Sequence, residues 1–363
     1  MRHAPYTAED FGINPLMFYY EVTQACDLAC KHCRASAQPD PAFDELTHEQ
    51  SMALIDDVAR FPRKPNMCFT GGDPLKRDDL FVLLRHAADL GITTALTPSA
   101  TPLATFDAFQ KAKNAGVQAL GLSLDGADAA VHDAFRGLDG SFDKCLELMQ
   151  YALELDMPVQ VNTSITRRNF HQIDAIAELL ANRGIAMWSV FFLVPVGRGV
   201  EEIRISPPEY KIAFEKLWHH AQTQPYGVKT TEAPFYRRYV LEQGGDPLAP
   251  PKSHSKFAAQ MNRGQGYRAP LGITDGRGIQ FVGHNGVIFP AGFLPIDCGR
   301  FPEVSVVETY QTHPVFRALQ NPDNYHGICG KCNDRFLCGG SRARAYAVTG
   351  DWLGPEPDCF FES

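Results

Sequence analysis

A chain of 363 residues is long enough for two or three domains, or for one large barrel with an appendage. Hydrophobic residues make up 44% and charged residues 21%, the balance of a chain with an ample core, and the longest apolar run, 185–196, is too short and too interrupted to span a bilayer. A net charge of -8 without a basic run argues against nucleic acid as the main partner, and residues 1–10 lack the apolar centre of a signal peptide, so a cytoplasmic location is expected.

From residue 16 to 196, short β-like runs at 17–22, 67–70, 93–97, 119–124, 159–163 and 190–194 alternate with helical patterns at 47–61, 80–90, 105–115, 141–155 and 172–183. Thr47 and Glu49 mark the opening of the first helix. Such alternation predicts βα units on a parallel sheet, and six strands in this span fit a partial barrel. Beyond Arg198 the pattern changes. A helical stretch at 207–222 leads into 228–239, and 244–277 is rich in Gly, Pro and polar residues, the composition of a long loop or a lid. The last part opens as a hairpin, with strands at 279–282 and 287–289 around a His284-Asn285-Gly286 turn. A short helix at 314–319 carries Pro314 in its first turn, and a cysteine-rich tail follows. The expected fold is α/β: an N-terminal extension (1–14), a partial (β/α)6 TIM barrel (15–210), a bridging region (211–277) and a small α+β domain (278–363).

The ten cysteines, closely spaced in a chain without an export signal, read as metal ligands rather than disulfides. Cys26, Cys30 and Cys33 follow the first strand on one short segment. Three thiolates suit iron and sulfide better than structural zinc, which wants four ligands, and a cluster held by three keeps one iron open. Zinc with Asp27 or His32 as fourth ligand, or three chance buried cysteines, are the alternatives. Thr70-Gly71-Gly72-Asp73-Pro74-Leu75 follows the second strand, and its glycines let a ligand approach bare backbone. Ser123-Leu124-Asp125-Gly126 ends the fourth. In barrels these strand ends form the active face. Cys329, Cys332, Cys338 and Cys359 form a second set that fits either another Fe–S cluster or tetrahedral zinc. Cys68 and Cys145 read as core residues, and Cys298 as a free thiol.

On the cysteine triad and the two strand-end motifs, the chain resembles the radical S-adenosylmethionine (SAM) superfamily along nearly its whole length. The resemblance implies a [4Fe–4S] cluster on Cys26, Cys30 and Cys33, with SAM bound at the open iron and cleaved by one electron. It implies that Gly71, Gly72 and Asp73, followed by Pro74, receive the SAM ammonium, although the family more often has Glu where Asp73 stands. Ser123 and Asp125 become ribose or carboxylate contacts, Arg136 a carboxylate contact, and Asn162 and the backbone of Val194 further SAM contacts. Thr97-Pro98-Ser99 is a candidate lining of the same site.

The tail resembles SPASM/twitch auxiliary domains, which implies a saturated auxiliary [4Fe–4S] cluster on Cys329, Cys332, Cys338 and Cys359, suited to passing electrons. Related domains often carry one more cysteine, about where Ala291 stands. The segment from Cys338 to Cys359 and the run Lys31-His32-Cys33-Arg34-Ala35-Ser36-Ala37 look most like members that modify tetrapyrroles, making heme by the siroheme route or heme d1. A tetrapyrrole propionate or similar arm is therefore the favoured substrate, and a ribosomal peptide the alternative. The expected electron donor is a flavodoxin or ferredoxin. Arg198, Tyr236, Arg237 and Arg238 are candidates for holding an acidic substrate, against solvated arginines on a loop and a helix. Arg342 and Arg344 read as supports of the cluster loop, and His284 as structural. A non-catalytic Fe–S or zinc protein would have no use for the nucleoside-pocket motifs.

Overall fold

The structure, a computed structural model, describes residues 6–7, 9–249 and 272–361. Most of the expected lid, 250–271, lies outside the described residues.

The six predicted strands form as β1 (Met17–Glu21), β2 (Asn66–Thr70), β3 (Thr94–Leu96), β4 (Val117–Ser123), β5 (Val159–Ile165) and β6 (Met187–Phe192), all parallel. The predicted helices form as α1 (His48–Val58), α2 (Leu80–Asp89), α3 (Phe106–Asn114), α5 (Ser141–Glu154) and α6 (Ile173–Ala181). A further helix, α4 (Ala129–Arg136), follows β4, capped by Asp128 and closed by Gly137 at φ 70°. Thr47 caps α1 through a reciprocal box with Gln50.

The sheet continues past β6. After α7 (Pro207–Thr223), β7 (Gly227–Thr231) pairs with β6, and α8 (Tyr236–Glu242) follows. On the other edge the hairpin β8 (Ile279–Val282) and β9 (Ile288–Phe289) docks with β8 parallel to β1. One nine-stranded sheet results, in the order β7-β6-β5-β4-β3-β2-β1-β8-β9. The hairpin from the C-terminal region thus forms barrel wall. The tail then adds α9 (Val306–Thr312), α10 (Pro314–Gln320), α11 (Gly327–Lys331) and α12 (Arg342–Thr349). No helix among the described residues is long and apolar enough to cross a membrane.

Strand alternation divides the labour between two faces. Phe18, Tyr20, Met67 and Phe69 point outward and are fully buried with Leu54, Leu83 and Leu84 of the helical layer. Each such side chain contributes about 1.5–3 kcal/mol relative to exposure, so this layer holds the fold. Gln160, Asn162 and Ser164, on the other face of β5, are only half-buried. The lumen is left for chemistry.

Arg344 ties the tail to the barrel. Fully buried, it donates to the carbonyls of Phe192 and Leu193 beyond β6 and pairs with Glu356 at 3.0 Å and Asp358 at 3.2 Å.

Candidate active site

The loop after β1 doubles back on itself, so that three cysteines close in sequence border one space. Cys26 N–H donates to Gln38 O at 2.7 Å, and Gln24 Nε2 donates to Ala35 O at 3.0 Å. The segment that follows β2 presses against this loop, with Gly72 N–H on Thr23 O and Asp73 N–H on Ala25 O. A Cβ on Gly71 would stand 2.6 Å from Thr23 O, so the contact demands glycine.

Arg198 closes the loop from the other side. Its Nε donates to Cys30 O at 2.9 Å, its Nη1 to Ala37 O at 2.8 Å, and its own N–H to Cys33 O. Two of its three guanidinium nitrogens are thus used by carbonyls of the cysteine loop, and Nη2 is buried without a hydrogen-bond partner among the described residues. Arg198 does not border the cavity lined by the triad, unlike the substrate arginine expected.

Cys26, Cys30 and Cys33 border a cavity of about 200 Å³ at the C-terminal ends of the strands. Gly71, Gly72, Ser99, Ser123, Asn162 and Arg136 border it too, so most of the expected SAM contacts converge there. Burial pushes the Cys26 and Cys30 thiols up, while donors at their sulfurs pull the other way. These donors are Leu28 N–H and Ser99 Oγ at Cys26 and Arg136 at Cys30. Such donors favour the thiolate that metal ligation requires.

Four expected contacts lie elsewhere. The Asp73 carboxylate is fully buried, accepting from Thr101 Oγ1 at 2.7 Å and from the N–H groups of Leu75 and Ser99, so it braces the glycine loop rather than facing a ligand. Burial raises its pKa. Pro74 opens the short turn Pro74–Lys76 and is buried. Val194 is 2% exposed in a small core with Ala291 and Leu294. Asp125 is fully buried behind Arg136, with which it forms an ion pair, and accepts from Ser164 N–H. Burial alone would raise Asp125; the Arg136 guanidinium instead holds it below the usual carboxylate range.

His32 and His132 border the same cavity and were not among the expected SAM contacts. His32 stacks on Phe135 with ring centroids 4.3 Å apart, and His132 Nδ1 accepts from Asp125 N–H at 3.0 Å. Burial pushes both imidazoles down to about 4, so they are neutral near pH 7. The position of His32 between two cysteines was a usable signal; His132 belongs to the unpredicted α4. Phe191 and Phe293 complete the wall, their centroids 6.2 Å apart.

The segment expected to grip the substrate does not reach this cavity. Tyr236 packs among aromatic rings, 5.0 Å from Phe214, and burial pushes its phenol up. Arg237 donates to the carbonyls of Leu337 and Ile273. Arg238 pairs with Glu242 and Asp334 and lies over the Phe361 ring at 4.4 Å. All three are corrected to structural positions on the C-terminal side.

Cys329, Cys332, Cys338 and Cys359 border a second pocket, of about 30 Å³. Glu356 N–H and Arg342 Nη2 approach Cys329 Sγ at 3.3 and 3.5 Å, and Gly340 N–H approaches Cys338 Sγ at 3.4 Å. Arg342 is fully buried over the Tyr325 ring at 4.7 Å, in the supporting role expected of it. Burial pushes Cys338 up to about 12 and Cys359 up to about 11. Among the described residues no three His, Cys, Asp or Glu side chains come together tightly enough to chelate one metal ion.

The radical SAM superfamily model matches residues 20–180. An AdoMet-dependent heme synthase of Nitratidesulfovibrio vulgaris is 35% identical over 364 residues, covering 99% of this chain and 96% of its own length. A PqqA peptide cyclase of Rhodopseudomonas palustris is 33% identical over 360 residues, covering 97% of this chain and 88% of its own. In fold, Streptococcus suis SuiB, solved with S-adenosylmethionine bound, aligns at a TM-score of 0.70 over 96% of this chain and 78% of its own, at 16% identity. With its cysteine triad set at the open end of a parallel barrel, this chain belongs to the radical SAM superfamily, as an enzyme that uses SAM and a [4Fe–4S] cluster.

Proposed function

We propose that this radical SAM enzyme removes hydrogen from a carboxylate-bearing arm of a tetrapyrrole, in synthesis of heme or heme d1 type. The observation that carries this reading is the end-to-end match to a heme synthase, which spans the cysteine tail as well as the barrel. The cavity is consistent with it: Phe191 and Phe293, tilted 53° to each other, offer aromatic surface in the wall of the triad cavity.

A cluster held by Cys26, Cys30 and Cys33 supplies, when bound, the electron that cleaves SAM to methionine and a 5′-deoxyadenosyl radical. Gly71 and Gly72 offer bare backbone to SAM, with Ser123, Asn162 and Arg136 as its further contacts. The residues of the chain otherwise serve to position substrate and keep water out, since hydrogen-atom transfer needs proximity more than acid–base groups. Loss of a hydrogen atom and then of the carboxylate as carbon dioxide turns a propionate into a vinyl group and leaves one electron. The four-cysteine site, read as an auxiliary [4Fe–4S] centre, is suited to receive it. A flavodoxin or ferredoxin is the proposed donor at the triad, and the cytoplasm the proposed location.

The test is anaerobic reconstitution with iron and sulfide, then reductant, SAM and an iron porphyrin bearing propionates. The expected result is 5′-deoxyadenosine together with a porphyrin that has lost a carboxyl group. The second reading, a peptide maturase, is favoured by the match to the peptide cyclase. Turnover of a peptide with no visible-absorbance change on adding any porphyrin would establish it instead.

A further inference from the structure

Arg34 follows Cys33 directly and borders the triad cavity. Its guanidinium is fixed on two sides. Nη2 donates to Glu21 Oε2 at 2.8 Å, and the planar group lies over the Phe281 ring, 4.5 Å from its centroid. Glu21, buried at the end of β1, is itself shared: His284 Nδ1, from the turn between β8 and β9, stands 2.8 Å from its Oε1. The carboxylate is therefore shared between Arg34 and His284. The remaining donors of Arg34, Nε and Nη1, hydrogen-bond to none of the described residues and are not sealed from solvent. A guanidinium anchored through Nη2, flattened on an aromatic ring and keeping N–H groups free of partners among the described residues is a preorganised cation for a carboxylate.

We infer that Arg34, positioned by Glu21 and His284, is the specificity-determining residue that grips a carboxylate arm of the substrate. The inference rests on the tetrapyrrole reading and deepens it. Phe191 and Phe293 border the same cavity, so the ligand that suits the site combines a flat aromatic body with an anionic arm. The arrangement unites residues far apart in the chain, because Phe281 reaches Arg34, and His284 reaches Glu21, through the pairing of β8 with β1. SAM brings another carboxylate into the same cavity, and the experiment separates the two.

Reconstituted wild-type, Arg34→Gln and Arg34→Lys enzymes are titrated, by visible absorbance, with an iron porphyrin bearing free propionates and with its methyl ester; SAM affinity is measured in parallel. A charge-assisted pair is worth about 1.5–3 kcal/mol, so the wild type should prefer the acid over the ester by roughly 10- to 100-fold. Arg34→Gln should lose that preference with SAM affinity unchanged, and Arg34→Lys should keep part of it. Gly292→Ala, which alters no residue of the cysteine loop itself, places its Cβ 3.0 Å from the Phe281 ring and 3.2 Å from Arg34 Nε, and should weaken acid binding while sparing the ester. It decides the matter if Arg34→Gln fails to load its cluster. Retention of the acid preference in Arg34→Gln, or loss of SAM affinity in its place, overturns the assignment of Arg34 alone. Failure of the wild type to bind either porphyrin overturns the tetrapyrrole reading and this inference with it.

Discussion

Cys26, Cys30 and Cys33 border a cavity of about 200 Å³, whereas Cys329, Cys332, Cys338 and Cys359 border one of about 30 Å³. Both sets draw N–H and guanidinium donors to their sulfurs, Arg136 at Cys30 in the first and Arg342 at Cys329 in the second. What differs is the rest of the wall. Around the triad, glycine backbone, small hydroxyls and aromatic faces leave an open cavity. Around the second set, the fourth cysteine and the side chains of Arg238, Arg335 and Glu356 fill the space. Three thiolates with a cavity suit chemistry at the metal; four thiolates without one suit electron transfer.

The comparison breaks most sharply at the cysteines. Cys30→Ala should reduce 5′-deoxyadenosine formation to the background of protein without iron, measured by chromatography after anaerobic reconstitution. If the small site is the proposed electron sink, Cys332→Ala should leave SAM cleavage in place and lower formation of the proposed porphyrin product by about tenfold or more. Equal loss of both products in Cys332→Ala would show that the small site supports the large one structurally.

A smaller effect tests what keeps the large site in shape. Arg198→Met leaves the Ala37 carbonyl without its donor and the Cys30 carbonyl with only the Cys33 N–H. Each unsatisfied buried acceptor costs about 1–3 kcal/mol, so the cysteine loop should loosen and iron content fall before the barrel melts. Iron assays set against thermal unfolding read the two apart. If iron content holds and only substrate affinity drops, Arg198 is a substrate arginine after all.

These expectations show which parts of the molecule were legible in the sequence. The strands β1 to β6 announce themselves through local periodicity, and the cysteines and Gly71-Gly72 through spacing that survives without knowledge of the fold. β7 was missed because Gly-Val-Lys-Thr-Thr carries one apolar residue among its five, and α4 because eight residues hold too little pattern. Arg198, Asp73 and Asp125 were placed in the right neighbourhood and given the wrong partners. Whether a charged side chain faces a ligand or a backbone carbonyl depends on which way the neighbouring loops turn, and no local signal encodes that. Phe293 borders the cavity, and Phe281 and His284 reach Arg34 and Glu21, where β8 pairs with β1 across more than half the chain, a contact decided by the closure of the sheet.

The smallest effect expected joins the two regions through that same hairpin. His284 faces Glu21 at 2.8 Å and Asp44 at 3.9 Å, with Glu45 and Arg34 nearby. Burial opposes its charge, yet the hydrogen bond and charge of Glu21 raise its pKa above the ordinary 6.5. A raised folded pKa stabilises fully below the unfolded value and is lost as pH climbs through the folded one. Glu21 behaves in the opposite sense. Burial alone would raise it, but Arg34 and His284 hold it below 4.5, so its contribution is lost on acidification through its folded pKa. The pair is therefore fully formed in a window between the two. Above that window the wild type should lose stability relative to His284→Gln, measured as a melting-temperature difference that shrinks as pH rises beyond 6.5. A difference that stays flat through that range would mean His284 holds Glu21 as a neutral imidazole, and that Arg34 alone balances the charge at the mouth of the cavity.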